Sequence, residues 1–331
     1  MESNTKTTPP KTLYRYRPLG NSDLVKRELD AILNSYLYAP RFEQMNDPME
    51  AMFELSFDDL YTALLPKEIF ETGRKVIKAA AETAKKSGLI SMSATHLDYP
   101  LWAYYASNFE GMCLEFDTQE LAIADLHQHL LVPVVYDSVA PEPVSFGLLA
   151  ISQPMEVVNK RLMQKRQEWQ HEKEWRYLGG KEGRQHYTDL ALKRIYLGPR
   201  IALKTKKNIL YKMKGRPVEI YEGSVHGYDV KFNCIQKGIS REECKRTGAG
   251  SFDRNLITSN NKELHAVLGE SLDHLEQTIN GLCSHPNLER IDGVCTSNNE
   301  TLIRITATYR LKDGCDISRN HWFDAHMKRM P

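Results

Sequence analysis

Large apolar residues alternate with polar ones along a series of short segments, and most of these segments end at Gly or Pro. This pattern, with its enrichment in Val, Ile, Tyr and Phe, is typical of β-strands. The segments predicted to be strands are TLYRYR (12–17), SYLYAP (35–40), LISMS (89–93), GMCLEFD (111–117), HLLVPVVYD (129–137), EKEWRYLG (172–179), KRIYLG (193–198), PVEIYEG (217–223) and YDVKFNCIQ (228–236).

Other segments repeat apolar residues at helical spacing. Ser22 can cap a helix over residues 23–34, and Pro66 and Pro100 can each open another helix. Further helices are predicted around 118–127 and 155–167. Because strands dominate this part of the chain and helices separate them, we predict an α+β fold with a mixed β-sheet core and flanking helices.

A change in composition divides the chain. Residues 237–263 are polar and rich in Gly, Ser and Asn, as in a linker or exposed loop. Beyond them, a helix and two strands predict a small second unit. The predicted parts are a disordered N-terminus (1–11), a candidate catalytic α+β domain (12–235), a linker or loop (236–262) and a small C-terminal α+β unit (263–331).

Charge and composition narrow the possible classes of protein. The 44 basic and 43 acidic residues leave a formal net charge of +1, which argues against a strongly basic nucleic-acid binder and against an acidic tail. The run HLLVPVV is too short to span a bilayer, and MESNTKTTPPK lacks the apolar core of a secretory signal. The 6 cysteines include no Cys-x-x-Cys pair and suit reduced thiols. We therefore expect a cytoplasmic protein with no membrane segment.

The segment WQHEKEWR (169–176) combines charge with aromatic surface. On one strand, Glu172, Glu174 and Arg176 would share a face, opposite Lys173 and Trp175. In a structural interpretation, Arg176 pairs with one glutamate while Trp175 anchors the strand. In a functional interpretation, both carboxylates face a cleft, where one stabilises a developing cation and the other orients an acceptor.

Two other strands carry candidate ligand-binding groups. Arg15 lies between Tyr14 and Tyr16, and its planar guanidinium can bind a phosphate or carboxylate through two hydrogen bonds. Ser91 and Ser93 share a strand face, so their hydroxyls can hold a ligand or pair across the sheet. Solvated surface arginines and ordinary cross-strand pairing are the structural alternatives.

A basic stretch occupies residues 193–216, with no acidic residue between Asp189 and Glu219. Its lysines and arginines can contact the phosphates of a nucleotide or nucleic acid. The same segment also contains an amphipathic helical pattern, IALKTKKNILYKMK, whose lysines would face water. The solvated face is favoured, and nucleic-acid contact remains the alternative.

Metal-dependent chemistry has little support. A zinc site is conceivable from Cys283, His285, Cys295, Cys315 and His321. Their spacing matches no standard zinc pattern. A hydrolase holding a metal between Glu172 and Glu174 would need further ligands, for which Asp47 and Glu50 are the obvious candidates. We expect no metal.

Several short blocks follow one another along the chain: LYRYRPL, NDPME, ISMSA, LWAYYASNFEGMCLEFD, WQHEKEWR and IYLG. Their order resembles the bacterial family known as domain of unknown function 2971, and the resemblance covers about residues 12–222. Family members typically carry histidines where this chain has Tyr104 and Phe109. Chemistry that depends on those histidines is therefore not expected here.

The order of an arginine strand, a Ser-x-Ser strand and a Glu-x-Glu element is similar to the signature of ADP-ribosyltransferases. That likeness implies a split sheet and NAD as substrate. It implies that Arg15 binds the phosphates or ribose of NAD, that Ser91 supports the nicotinamide ribose, and that Glu174 is the catalytic carboxylate. Glu172 would address the acceptor. Tyrosines able to stack on the nicotinamide ring are Tyr14, Tyr104 and Tyr105.

Two functional hypotheses follow. The first is an ADP-ribosyltransferase-like enzyme that modifies a protein or nucleic acid, in the role of a toxin or defence effector. The second is a non-catalytic nucleotide or nucleic-acid binding module that uses the basic stretch, with the Glu172–Arg176 segment as structural ion pairs. No Gly-rich dinucleotide fingerprint is present, so hydride transfer with NAD is not expected.

Overall fold

The computed structural model describes residues 8–45, 47, 56, 66–140, 142–143, 145, 153–258, 261–269, 272–297 and 302–330. The helices in these ranges are α1 (Ser22–Leu33), α2 (Lys67–Lys86), α3 (Tyr99–Tyr105), α4 (Thr118–Leu121), α5 (Pro154–Leu162), α6 (Leu203–Met213), α7 (Asn255–Thr258), α8 (Asn261–Leu268) and α9 (Leu272–Cys283). Short 3₁₀ segments are Phe42–Gln44, Asp125–Gln128 and Gln167–Glu172.

The strands are β1 (Thr12–Arg17), β2 (Tyr36–Ala39), β3 (Gly88–Ser93), β4 (Met112–Asp117), β5 (Leu130–Pro133), β6 (Val135–Asp137), β7 (Gln164–Arg166), β8 (Glu174–Gly180), β9 (Gly183–His186), β10 (Leu192–Leu197), β11 (Glu219–His226), β12 (Asp229–Gln236), β13 (Leu288–Thr296), β14 (Ile303–Arg310) and β15 (Asp316–Phe323). An 8-stranded sheet has the order β12-β11-β10-β4-β1-β3-β8-β5, and a 3-stranded sheet has the order β13-β14-β15. Because β10 and β11 are parallel while the other neighbours are antiparallel, the large sheet is mixed. The predicted α+β fold is confirmed.

The large sheet is split between β1 and β3. Strand β1 pairs with β4 along its whole length, from Thr12 opposite Asp117 to Arg17 opposite Met112. With β3, it pairs at Tyr14 opposite Ser93. The two strands therefore separate beyond this contact and leave a gap between the halves of the sheet.

Alternation along β1 sends successive side chains to opposite faces of the sheet. Leu13 enters the main core, where buried Ile32 of α1 and Ile209 of α6 also pack. Tyr16 belongs to a separate cluster on the other face, where its ring meets Trp102 of α3 edge-on at 5.4 Å. Both faces of the sheet are thus covered by helices.

The C-terminal sheet has its own core, to which α8 and α9 contribute Leu264 and Leu275. Within the segment predicted as a linker, α7 places Ile257 in this core. Ile123, from the first part of the chain, also packs there. The two units therefore share apolar contacts.

Polar contacts also join the two units. His285 Nε2 lies 3.0 Å from the Glu120 carboxylate, and Lys312 Nζ lies 2.7 Å from Asp189. Asp189 accepts a further bond from Arg216 at 3.1 Å. Burial alone would raise the pKa of Asp189, but Lys312 and Arg216 outweigh it and lower that pKa. The shared carboxylate therefore remains ionised at the junction.

Two local predictions were wrong. Asn21, rather than Ser22, caps α1, because its side chain accepts a hydrogen bond from the first turn of the helix. The helix predicted over 155–167 ends at Leu162, because Gln164–Arg166 forms β7 and pairs with β6 in parallel. The third strand of the C-terminal sheet, β15, was not predicted.

Candidate active site

The gap between β1 and β3 contains a cavity of about 240 Å³. Arg15, Ser91 and Glu174 line this cavity together, although they come from three different strands. Strand pairing explains their proximity, since Ser93 of β3 lies opposite both Tyr14 of β1 and Glu174 of β8. Further sequence candidates on the same cavity wall are Tyr14, Ser93, Tyr105 and Glu172.

Glu174, the first residue of β8, is held between two cations. Arg176 is completely buried and donates to the two carboxylate oxygens at 2.8 and 3.0 Å, because residues i and i+2 of a strand share a face. Lys165 Nζ lies 3.3 Å from Oε2. Burial alone would raise the pKa of Glu174, but Arg176 and Lys165 outweigh it and lower the pKa to about 2. Glu174 is therefore ionised at neutral pH.

Glu172 does not lie on the strand that carries Glu174, contrary to the sequence prediction. It ends a 3₁₀ segment, and Lys173 follows with a φ of 46° in the left-handed region. Even so, Glu172 Oε2 lies 2.6 Å from Lys165 Nζ, and the Tyr105 hydroxyl donates to Oε1 at 3.1 Å. Burial is the largest effect on Glu172 and raises its pKa. The two carboxylates thus share one lysine but have opposite pKa shifts.

The structural interpretation of this segment also has support. Arg176 is paired with Glu174, and Trp175 is buried in the main core on the opposite face of β8. Arg176 Nη1 also donates to the Leu162 carbonyl at 2.6 Å, which ties β8 to the end of α5. The ion pairs therefore stabilise this strand whatever chemistry the cavity performs.

Arg15 differs from the other cations of the cavity. Its Nη2 donates to the Tyr38 carbonyl at 2.9 Å, while Nη1 is buried without a hydrogen-bond partner among the described residues. Burial, followed by the charge of Arg17, lowers the pKa of Arg15 to about 9. Arg17 itself binds the Glu28 carboxylate at 2.6 and 2.7 Å. Arg15 therefore lines the cavity with one donor, Nη1, that no described group satisfies.

The two serines of β3 have different surroundings. Ser93 Oγ donates to the Glu172 carbonyl at 2.7 Å and accepts from the Thr95 amide at 3.1 Å, so it organises the turn beside the cavity. Ser91 Oγ is buried and, within the described part of the chain, makes no hydrogen bond of ordinary geometry. It lies close enough to Glu174 to help lower the pKa of that carboxyl. The Ser91 hydroxyl can therefore turn toward a ligand.

The three tyrosines proposed to stack on nicotinamide lie in different places. Tyr14 and Tyr105 line the cavity, and the Tyr14 ring lies 5.2 Å from the His96 ring. Tyr104 is 69% exposed, and its ring packs against Trp169 at 6.4 Å instead of entering the cavity. The structure therefore leaves Tyr104 outside the group of candidate residues.

One known protein family matches a segment of the chain that contains part of this site. Residues 101–177 match a family described as Protein of unknown function (DUF2971). This is about a quarter of the 331-residue chain and includes Glu172 and Glu174, whereas Arg15 and Ser91 lie outside it. The resemblance expected over 12–222 is thus supported for the matched segment. No curated protein and no solved structure was found to match the chain.

Sequence reasoning missed Lys165. This residue is 4% exposed in β7, bridges both glutamates and lies 5.0 Å from the centre of the Trp169 ring. It falls inside a segment predicted to be helical, and only the β6–β7 pairing brings it to the cavity. A lysine seven residues before a glutamate carries no recognisable signal in the sequence.

The described residues contain neither a cluster suited to a metal ion nor a helix suited to crossing a membrane. Within the described ranges, no group of three or more His, Cys, Asp or Glu is arranged to hold a metal ion. Asp47 is buried, while Asn46, Pro48 and Glu50 lie outside the described residues. In the same part of the chain, no helix has both the length and the apolarity to cross a membrane.

Proposed function

We propose that this protein transfers ADP-ribose from NAD to an acceptor. The observation that carries the proposal is that Arg15, Ser91 and Glu174 surround one cavity at the split of the sheet. Arg15 provides a guanidinium whose Nη1 has no partner among the described residues and can donate to a phosphate, and Ser91 provides a hydroxyl that can turn toward the ribose. Glu174 provides a carboxylate that stays ionised at neutral pH.

The charges suit cleavage of a glycosidic bond. The bond between ribose C1′ and the nicotinamide nitrogen breaks, nicotinamide leaves with the electron pair, and positive charge develops on the ribose. Glu174 stabilises that charge as a fixed anion. Glu172, whose pKa is raised by burial, accepts the proton of the acceptor group as that group forms the new bond to C1′.

The size of the cavity limits which part of NAD enters it. Its volume of about 240 Å³ lies below the roughly 300–1,000 Å³ of pockets that enclose a drug-sized ligand. Nicotinamide and its ribose, the reacting half, are the part that the cavity suits. The adenosine half would lie toward the opening, with Arg15 at the phosphates between the two halves.

Matched serine variants test this proposal. The full chain is incubated with NAD labelled in the adenosine part, with cell lysate as a source of acceptors, and nicotinamide release and labelled macromolecules are measured. Ser91→Ala should lower turnover strongly and lower the thermal midpoint less than Ser93→Ala does, because the Ser91 hydroxyl makes no ordinary hydrogen bond within the described structure. Ser93→Ala should mainly lower stability, because Ser93 makes two hydrogen bonds.

Arg15→Gln adds a second test, since it should raise the KM for NAD by removing the phosphate-binding charge. Wild-type protein that releases no nicotinamide and labels no macromolecule would overturn the proposal. So would activity that survives Ser91→Ala and Arg15→Gln unchanged. If the protein acts as a toxin or defence effector, its expression should slow growth, and Ser91→Ala should restore it.

The basic stretch supports a second candidate function, the binding of nucleic acid. Arg194, Lys206 and Arg216 form ion pairs with carboxylates. In contrast, Arg200, Lys204, Lys207, Lys212 and Lys214 are exposed and form no ion pair within the described residues. Tyr211 lies among them and is 79% exposed, so a base could stack on it.

Salt dependence distinguishes this candidate. Binding to single-stranded RNA or DNA should weaken steeply as salt increases, because phosphate contacts release counterions. Tyr211→Ala should reduce the affinity, and Tyr228→Ala, at another exposed tyrosine, should not. Absence of binding at low salt would exclude nucleic-acid binding as a function. The NAD reaction is tested separately, by Ser91→Ala.

A further inference from the structure

Lys165 contacts both glutamates of the cavity at β1 and β3, and the proposed reaction assigns it no step. Its Nζ lies 2.6 Å from Glu172 Oε2 and 3.3 Å from Glu174 Oε2. The lysine side chain is 4% exposed and lines the cavity. A buried ammonium beside two carboxylates affects the protonation of both, because a nearby opposite charge favours the ionised form.

The backbone of β7 directs Lys165 into the cavity. Side chains alternate along this strand, so Lys165 is buried while the next residue, Arg166, is exposed and pairs with exposed Glu168. In the parallel β6–β7 pair, Lys165 lies beside Tyr136, whose hydroxyl accepts a hydrogen bond from the Glu174 amide at 2.8 Å. The β6–β7 pair is therefore tied to the start of β8, where Glu174 lies.

The ring of Trp169 provides a third contact for the ammonium. Lys165 Nζ lies 5.0 Å from the ring centre, within the range of a cation–π interaction. Trp169 is half-buried and is not part of the cavity wall. The ammonium of Lys165 is therefore held by two carboxylates and one aromatic ring, which restricts its position.

The two carboxylates depend on Lys165 to different degrees. Glu174 also accepts hydrogen bonds from Arg176 at 2.8 and 3.0 Å, so it keeps a cation when Lys165 is removed. Among the described residues, the further hydrogen-bond partner of the Glu172 carboxylate is the Tyr105 hydroxyl, which donates at 3.1 Å. Burial raises the pKa of Glu172 and the charge of Glu174 adds to this rise, whereas Lys165 opposes it. The ionised form of Glu172 therefore depends mainly on Lys165.

Other charged and titratable groups surround the two carboxylates. They are Tyr105 of α3, Tyr136 of β6, Arg176 of β8, and Tyr14, Arg15, Tyr16 and Arg17 of β1 on the cavity wall. Arg17 binds Glu28 at 2.6 Å, and Arg15 donates to the Tyr38 carbonyl at 2.9 Å. Within the described structure, Lys165 is the cation that forms an ion pair with Glu172.

We propose that Lys165 is a positioning residue for the proton acceptor of this reaction: it holds the carboxylate of Glu172 in place, in the charged form that takes a proton from the acceptor group. This inference rests on the proposed transfer of ADP-ribose. The electron pair of the acceptor group forms the bond to ribose C1′, and its proton moves to Glu172. Glu172 then becomes neutral, but Lys165 still faces the anionic Glu174, so no buried ammonium is left without a counter-ion.

The pH dependence of macromolecule labelling by the full chain tests this role. Lys165→Met removes the charge but keeps a long unbranched side chain. Because Glu172 then loses the cation that favours its ionised form, the ratio of the labelling rate at about pH 8 to that at about pH 5 should rise about tenfold or more relative to the wild type. Lys165→Arg keeps the charge and should bring this ratio back toward the wild-type value. A loss of labelling that is equal at every pH would overturn the proposal, because it is the result expected of a residue that acts only in folding.

A second measurement does not need turnover and so separates this inference from the proposed function. The glutamate carboxyl carbons of the full chain are labelled with ¹³C and titrated by NMR, and Glu172→Gln identifies the Glu172 signal. The titration midpoint of Glu172 should rise in Lys165→Met, because the opposing cation is lost. Arg166→Gln is the matched control. It removes the neighbouring exposed cation of β7, which is not part of the cavity wall, and should leave the midpoint unchanged.

Trp169→Leu provides the test if Lys165→Met does not fold, since Lys165→Met leaves two buried carboxylates with one cation fewer. Trp169→Leu keeps the buried charges but loosens the ammonium, so the Glu172 midpoint should rise by a smaller amount. Wild-type protein without turnover would overturn the proposed function. A Glu172 midpoint that is unchanged in the folded variant, or that moves equally in Arg166→Gln, would overturn the role of Lys165.

Discussion

Replacing Glu174 with Gln removes the anion that faces two buried cations. Arg176 is completely buried and Lys165 is 4% exposed, so water cannot replace the lost carboxylate. Breaking a buried ion pair by removing one partner costs about 3–5 kcal/mol. The pKa of about 2, compared with 4.5 for an ordinary glutamate, corresponds to about 3 kcal/mol at about 1.4 kcal/mol per unit. We therefore expect Glu174→Gln to lower the free energy of unfolding by about 3–5 kcal/mol at neutral pH.

The effect should depend on pH. The pKa of Glu174 is lower in the folded chain than in the unfolded chain, so the unfolded chain binds more protons as the pH falls. The stability that this carboxylate contributes is present above about pH 4.5 and is lost as the pH falls toward 2. The difference in stability between the wild type and Glu174→Gln should therefore stay constant down to about pH 4.5 and narrow as the pH falls from there toward 2.

Urea unfolding followed by tryptophan fluorescence measures both quantities. Glu168→Gln is the matched control, because Glu168 also has a pKa lowered to about 2, by hydrogen bonding to Arg166, but is exposed. Solvent screens that pair, so its loss should hardly change the unfolding midpoint. Equal destabilisation by the two variants, or a stability difference that stays constant with pH, would refute the reasoning.

Three further substitutions test the core of the first domain, a close backbone contact and the junction between the two units. Trp102→Ala should lower the free energy of unfolding by about 3–5 kcal/mol in urea, because this 1% exposed ring leaves a cavity; a loss below about 1 kcal/mol would contradict its place in the core. A Cβ at Gly111 would lie 2.3 Å from the Arg17 carbonyl oxygen, so Gly111→Ala should lower the thermal midpoint, and an unchanged midpoint would exclude this close contact. Asp189→Asn removes the anion that Lys312 contacts at 2.7 Å, so limited proteolysis should cut the C-terminal unit faster than in the wild type, and an unchanged cleavage rate would contradict the role of this contact at the junction.

Strands with clear alternation were predicted well, because alternation of side chains has a local cause, whereas β7, β9 and β15 were not predicted. β1 was predicted at Thr12–Arg17 and has those bounds in the structure, and β3 and β4 were each predicted to within one residue. Helix ends were predicted less well. The helix expected after β4 is interrupted, with α4 ending at Leu121 and a 3₁₀ segment following at Asp125–Gln128. Such ends depend on tertiary packing, which competes with local propensity.

The candidate site could be predicted only as a set of residue types. Strand alternation placed Glu174 and Arg176 on one face, and the structure agrees, because that relation depends on two neighbouring positions. It also placed Glu172 there, which was wrong, because the left-handed Lys173 interrupts the strand. Tyr104 was selected for its residue type and its place in the chain, but it faces solvent.

The strand periodicity, the α+β class and the presence of Arg15, Ser91 and Glu174 on three separate strands could all be predicted from local patterns in the sequence. Strand order was decided only by the tertiary structure, since residues far apart in the chain become neighbours through long-range pairing. Long-range pairing also leaves the gap between β1 and β3. It places the buried Lys165 in contact with both Glu172 and Glu174. The opposite pKa shifts of Glu172 and Glu174 follow from this burial and from the nearby cations. Neither effect can be recognised in a short segment of the sequence.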